Sequence, residues 1–191
     1  MEKTLTQQPS SCLKIVLFGP ESTGKTTLAK QLAKIYHTHW IPEYMREYLE
    51  KKWHDKGELI SREDLVPIAQ GQMAAENEAA QKTKEFLFCD TNLLELKVYC
   101  DYYYNKYCPE EILEAIKHHS YDHYFLTDID VPWEPDILRD RPYDRSMLFR
   151  MFEATLKVNN LPFTKLTGNP KKRLRTARTV LENLKRTHYA K

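Results

Sequence analysis

The run Gly19-Pro20-Glu21-Ser22-Thr23-Gly24-Lys25-Thr26, with Thr27 behind it, limits this chain to few folds. It stands between the apolar segment Leu13 to Phe18 and a helical pattern from Lys25 to Tyr36, the strand–loop–helix setting of a phosphate-binding P-loop. Glycines let the backbone turn tightly, so that successive N–H groups point inward and line an anion nest. The helix that starts near Lys25 adds its positive N-terminal end. Lys25 can reach β- and γ-phosphates, and the Thr26 hydroxyl can hold Mg²⁺. Gly19, Glu21, Ser22, Thr23, Gly24, Lys25, Thr26 and Thr27 are the candidate nucleotide-binding residues. Two of the five glycines in the chain fall here, so a mere surface turn is the poorer reading.

Length and charge narrow the rest. At 191 residues one domain with a proper core is expected, 13–191, behind a flexible lead-in at 1–12. A net charge of +2 with 29% charged residues implies no polycationic surface, so nucleic acid is not a favoured partner. No apolar run approaches the roughly eighteen residues that span a bilayer, and Met1 to Ser11 lacks a signal-peptide core. The four cysteines show no C-x-x-C spacing, which fits a reduced, cytoplasmic protein without zinc.

Along the chain, five strand-like runs alternate with helical patterns: Leu13–Phe18, His37–Ile41, Phe86–Asp90, Tyr124–Thr127 and Pro162–Gly168. That alternation predicts an α/β fold, a five-stranded, mostly parallel, doubly wound sheet with helices on both faces. Leu28, Leu32 and Ile35 form the core stripe of the first helix, and Met147, Leu148, Met151, Phe152 and Leu156 that of a later one. Pro42 and Glu43 open a short helix, with Trp53 to Ile60 read as a loop. Ser61 to Asp64 resembles a capping box. The tyrosines between Leu93 and Cys108 are expected to pack against the sheet or at an interface, and His118, His119 and His123 to be solvated.

Three features carry chemistry beyond the P-loop. Phe86 to Asp90 is an apolar strand ending in an acid, the arrangement that sets a carboxylate near a P-loop metal, so Thr26 and Asp90 are the candidate Mg²⁺ residues. Glu43 and Arg46 are three apart and share a helix face just beyond a strand's carboxyl end. Arg139, Arg141 and Arg145 follow a proline-rich stretch that reads as a short arginine-bearing lid, suited to stabilising a moving phosphoryl group and excluding water. A GTPase is disfavoured because neither Thr-Lys pair has the guanine-reading Asp two residues on. Motor or AAA⁺-type ATPases are disfavoured for want of mechanical elements. A small-molecule kinase fits, with Lys25, Glu43, Arg46, Asp90, Arg139 and Arg141 as its candidate catalytic residues.

The P-loop as it stands, with Pro42-Glu-Tyr-Met-Arg-Glu-Tyr48, Asp90-Thr-Asn92, Leu126 to Asp136 and Leu138-Arg-Asp140, resembles the ribosylnicotinamide kinase domain of the NadR family. The resemblance runs from residue 13 onward, and Thr127 to Asp136 is its most specific part. It implies ATP- and Mg²⁺-dependent phosphorylation of nicotinamide riboside, a small-molecule nucleoside substrate, to nicotinamide mononucleotide in NAD salvage. No H-x-G-H motif occurs, so the family's adenylyltransferase and repressor activities are not expected here. A pyridinium cation favours aromatic faces and carboxylates. Trp40, Tyr44, Trp133, Asp128 and Asp130 are the expected substrate box, with Glu43 beside it. The base is Glu43 or Asp90, Arg46 orients the acceptor or the γ-phosphate, and Asn169, between Gly168 and Pro170, is placed to meet adenine. A kinase for another nucleoside or nucleotide, and a nucleotide-sensing regulatory module, are the alternatives.

Overall fold

Six consecutive buried residues, Leu13–Phe18, make the central strand β1. Their side chains split by the two-residue period of a strand: Ile15 and Leu17 enter one core, Val16 and Phe18 the other. The computed structural model describes residues 4–133 and 143–189. Around β1 lie β2 (Trp40–Ile41), β3 (Phe86–Asp90), β4 (His123–Thr127) and β5 (Phe163–Leu166). The helices are α1 (Lys25–Ile35), α2 (Tyr44–Lys56), α3 (Leu65–Lys82), α4 (Leu93–Tyr103), α5 (Glu110–His118), α6 (Arg145–Val158) and α7 (Pro170–Tyr189).

The sheet order is β2-β3-β1-β4-β5, and every described pairing is parallel. One face carries α1 and α7 over Phe86, Phe88 and Phe125; the other carries α4 and α6 over Phe18, Leu87 and Leu126. Phe18 meets Phe152 of α6 edge-on at 4.9 Å, a favoured aromatic geometry. A third cluster joins α3, α4 and α5 through Leu65, Met73, Leu93 and Ile112. The register Leu17↔Asp90 and Phe18↔Leu126 brings the carboxyl ends of β1, β3 and β4 to one edge, where such sheets bind ligands.

Several elements differ from the sequence expectation. The second strand shrinks to two residues because His37 takes φ 51, and Thr38 Oγ1 instead donates to Phe86 O at 2.6 Å. The helix after Pro42 runs on through the expected loop to Lys56 and stops at Gly57. Asn105 and Lys106 at φ 51 and 66 end the tyrosine helix before Cys108. Ile35 and Met147 are exposed rather than core-facing, and Ala29 and Ala33 fill the α1 seam. His123 is buried against Thr164 Oγ1 at 2.9 Å, not solvated, and burial lowers its pKa to about 4. The lead-in from Leu5 to Pro9 lies against α3 and the α5–β4 turn through bonds such as Gln8 N to Asn77 Oδ1 at 2.8 Å. The cysteines are free thiols, with Cys12, Cys89 and Cys100 buried. No described helix is long and apolar enough to cross a membrane.

Candidate functional site

The P-loop closes on β4 so tightly that its first position must be glycine. Gly19 takes φ +139, and a Cβ there would stand 2.7 Å from Thr127 Oγ1. Thr23 Oγ1 bonds Thr127 Oγ1 at 2.7 Å and Pro20 O at 2.7 Å, so the loop carries its own brace. Arg173 of α7, buried to 4% exposure, donates to Thr23 O at 2.5 Å, Asp128 O at 2.7 Å and Gly168 O at 2.9 Å. It also binds the Asp130 carboxylate. One guanidinium fork thus joins the P-loop, the end of β4 and the end of β5.

Lys25 is buried, with Nζ 2.6 Å from Gly19 O, 3.0 Å from Pro20 O and 3.2 Å from Glu95 Oε1. Thr26 Oγ1 donates to Asp90 Oδ2 at 2.5 Å. Beyond Asp90 the chain turns sharply: Thr91, β-branched, is held at φ 76 while its N–H reaches Leu17 O at 3.1 Å. Such conformations persist where surrounding structure imposes them, often beside functional groups. Asn92 then caps α4, its side chain accepting from Glu95 N at 3.2 Å.

Three acids, Glu43, Asp90 and Glu95, crowd this one ammonium. Burial works against the charge on Lys25, but Glu95, Glu43 and Asp90 more than offset it and hold its pKa above the usual lysine value. Burial pushes Glu95 up to about 8 against the pull of Lys25, with Glu43 and Asp90 raising it further. Asp90 is raised by burial too, with Lys25 and Thr26 pulling the other way. One lysine cannot neutralise three carboxylates, so the cluster favours retaining a proton.

From this centre a cleft of about 1160 Å³ runs outward. Its phosphate end is lined by the P-loop, and its far wall by Trp40, Glu43, Arg46 and Leu49. Glu43 is the N-cap residue of α2, and Arg46, in the first turn, pairs with Glu50 at 3.0 Å. The structure therefore brings together the expected P-loop residues with Trp40, Glu43, Arg46 and Asp90. It does not bring in the whole substrate box. The Tyr44 ring lies in the α2–α3 seam against Gly71, where a Cβ would come within 2.0 Å of it. Asp128 pairs with Lys165 at 3.0 Å, Asp130 is taken by Arg173 and Gly168 N, and Trp133 sits 5.7 Å from the Arg145 guanidinium. None of these four lines the cleft, although Val131 and Pro132 between them do. Asn169 spends its side chain on Lys172 N at 3.0 Å, capping α7, while its neighbour Pro170 lines the cleft. Arg139 and Arg141 lie outside the described residues. Arg145, the first residue of α6, donates to Ser22 O at 3.3 Å and Val131 O at 3.1 Å.

Two further sets of residues escaped the sequence reading. Glu95, three residues after an N-cap Asn, reads as half of a capping box, but its side chain turns inward to Lys25. Tyr99, Tyr102 and Tyr104 pack against the core as expected of the run, and Tyr99, Tyr103 and Tyr104 also line the cleft; Tyr99 and Tyr103 stack at 6.1 Å. The only advance signal was their spacing of four and five residues along one helix. Among the described residues no group of three or more His, Cys, Asp or Glu converges as a metal site.

Comparison with known proteins agrees with this geometry. Over 151 residues the chain is 27% identical to the trifunctional NAD biosynthesis/regulator protein NadR of Salmonella typhimurium, covering 78% of this chain and 37% of that protein. The chain thus spans little more than a third of the length of this relative. A crystal structure of NadR protein in complex with NR superposes with a TM-score of 0.77 at 20% identity, over 91% of this chain and 52% of the other. Deoxyadenosine kinase from M. mycoides superposes with a TM-score of 0.63 at 18% identity, over 90% of this chain and 100% of the other. The resemblance to NadR read from the sequence and the α/β P-loop NTPase fold are both borne out. Motor or AAA⁺-type ATPases were the disfavoured reading, yet the family model that matches is described as an AAA domain. With the AAA domain family model matching residues 14–173, the chain belongs to that family.

Proposed function

We propose that this chain transfers the γ-phosphoryl group of ATP to the 5′-hydroxyl of nicotinamide riboside, giving nicotinamide mononucleotide. The observation that carries the reading is one cleft lined both by the P-loop with Lys25 and Asp90 and by Trp40, Glu43 and Arg46. The similarity to NadR over 151 residues supports the choice of acceptor.

The residues divide the work by position. The P-loop amides and Lys25 take the phosphates, Lys25 giving up carbonyl partners in its own loop for phosphate oxygens. Asp90 Oδ1 is buried without a partner among the described residues, and Oδ2 meets the Thr26 hydroxyl. That pair of hard oxygen donors suits Mg²⁺, and Thr26 and Asp90 would hold it, through water where needed. Bound there, Mg²⁺ would neutralise charge on the β- and γ-oxygens. Because Asp90 is engaged on the metal side, we assign the base to Glu43, which stands on the acceptor wall. Arg46 orients the acceptor or the γ-phosphate, and Arg139 and Arg141 act from the lid. Trp40 and the cleft tyrosines offer π faces to the pyridinium ring, with Glu43 adding negative charge.

A coupled ADP-release assay with Mg-ATP and a panel of nucleosides tests this. Turnover with nicotinamide riboside far above the other acceptors is the expected result. Turnover confined to another nucleoside would keep the kinase and remove the substrate; ATP binding with no turnover would favour a nucleotide sensor.

A further inference from the structure

Behind the acceptor wall is a second, small cavity of about 20 Å³, bounded by the start of α2, by α3, and by the β3–α4 turn with the first turns of α4. It shares Glu43, Met45, Leu96 and Tyr99 with the main cleft. Its size admits one water and nothing larger. Four of its lining side chains are buried and polar, Gln72, Thr91, Asn92 and Glu95, and Asn92 is already engaged with Glu95 N and Tyr124 OH. Among the described residues Gln72 Nε2 has no hydrogen-bond partner, and of the two Glu95 oxygens Oε1 faces Lys25 at 3.2 Å while Oε2 has no partner. Gln72 Oε1 accepts from Tyr44 N at 2.8 Å. A backbone N–H only donates, so the atom facing Tyr44 is the amide oxygen, and the donor side of Gln72 is left for the cavity. A buried donor and a buried carboxylate thus border one water-sized space, and leaving both unmade would cost more than a bridging water costs in entropy. A cation is excluded by the amide donor.

We propose that Gln72 is a positioning residue: its carbonyl holds the first N–H of α2, its amide holds Glu95 through one buried water, and Glu43 and Lys25 are thereby set in one frame. The proposal rests on the phosphoryl-transfer reading above. The chemistry behind it is short. Glu43 immediately precedes the N–H that Gln72 fixes, and Glu95 is the carboxylate that Lys25 faces at 3.2 Å. One side chain of α3 therefore spans the acceptor-side acid and the phosphate-side lysine, which no local sequence motif connects.

Two substitutions that exchange donor and acceptor across the cavity test it. Gln72→Glu keeps an acceptor for Tyr44 N–H but sets a carboxylate against Glu95. With two carboxyl groups set against each other in one buried space, kcat should fall about tenfold while KM for ATP changes less than about threefold. Adding Glu95→Gln restores a donor–acceptor pair, so the double variant should exceed the product of the two single losses by about tenfold. Losses that simply multiply would overturn the proposal, as would a crystal structure showing the cavity dry. A wild type that turns over nucleosides yet is indifferent to Gln72→Glu overturns the positioning role alone. A wild type with no turnover overturns the reading on which it rests.

Discussion

The loop from Gly19 to Thr27 and the wall carried by α2 face each other across one cleft, yet they are held in opposite ways. The loop is braced by buried groups on three sides: Thr127 from β4, Arg173 from α7 and Glu95 from α4. Helix α2 buries no residue at all. It is held by the half-buried Tyr44, Met45 and Tyr48 against the third cluster and by a few polar links, Tyr48 OH to Asp64 at 2.8 Å, Lys52 to Asp64 at 2.6 Å and Tyr44 N to Gln72. A phosphate site has to be rigid before its ligand arrives, because fixed dipoles stabilise charge without reorganising. A wall that takes up a small acceptor gains from being able to open, and segments with few buried contacts open at lowest cost. The difference locates where this fold keeps its stiffness.

Substitutions at the stiff end should produce the larger effects. Lys25→Ala should lower phosphoryl transfer on the order of a thousandfold in the ADP-release assay, as expected for a fixed charge lost from a water-poor site. A residual rate near wild type would mean the loop is not the phosphate site. Arg173→Ala strands the Asp130 carboxylate and three backbone carbonyls that it now serves. Removing one partner from so buried a network should cost about 3 kcal/mol in urea unfolding, and a loss comparable to that of a surface substitution would show the brace to be dispensable.

The acceptor wall should respond less, and differently. Gly71→Ala places a methyl group against the Tyr44 ring. It should push α2 away from α3, raising the acceptor KM about tenfold with the ATP KM nearly constant, at an overpacking cost of about 1–2 kcal/mol. Equal changes in both constants would erase the distinction between the two sides. A further effect concerns pH. The Glu95 carboxyl ionises near 4.5 in the unfolded chain and near 8 in the ligand-free fold, because burial disfavours its charge. Between those values the folded state keeps a proton the unfolded state has lost. The contribution is therefore complete below the lower value and is lost as pH rises through the higher one. Glu95→Gln should flatten that slope; unfolding curves at about pH 5 and about pH 9 that differ as much as in the wild type would contradict it.

How much of this was legible in the chain follows the same division. The P-loop and the acid ending β3 are local patterns, each written in fewer than ten successive residues, and they stand where the strand–loop–helix reading put them. The far wall is assembled from separate segments. Helix α2 has no buried stripe, so the helical period had nothing to show and its last turn, from Trp53 to Lys56, read as a loop. Glu95 looks like a cap because an acid in a first turn usually is one, and only the depth of α4 beside β1 turns it toward Lys25. Asp128 and Asp130 follow β4 as a ligand-facing acid would, yet Lys165 and Arg173 claim them from strands and helices distant in sequence. Tyr99 and Tyr103 of α4 reach the cleft from a helix whose other side packs on the sheet, a placement that no local pattern marks.

The central claim is that phosphate end and acceptor wall serve one transfer. It is met most directly by following the label from ATP marked at its γ-phosphate, with nicotinamide riboside and Mg²⁺ present. Label appearing in nicotinamide mononucleotide, and disappearing with Lys25→Ala, is the result this account predicts. Label recovered only as inorganic phosphate, or on a different nucleoside, would contradict it.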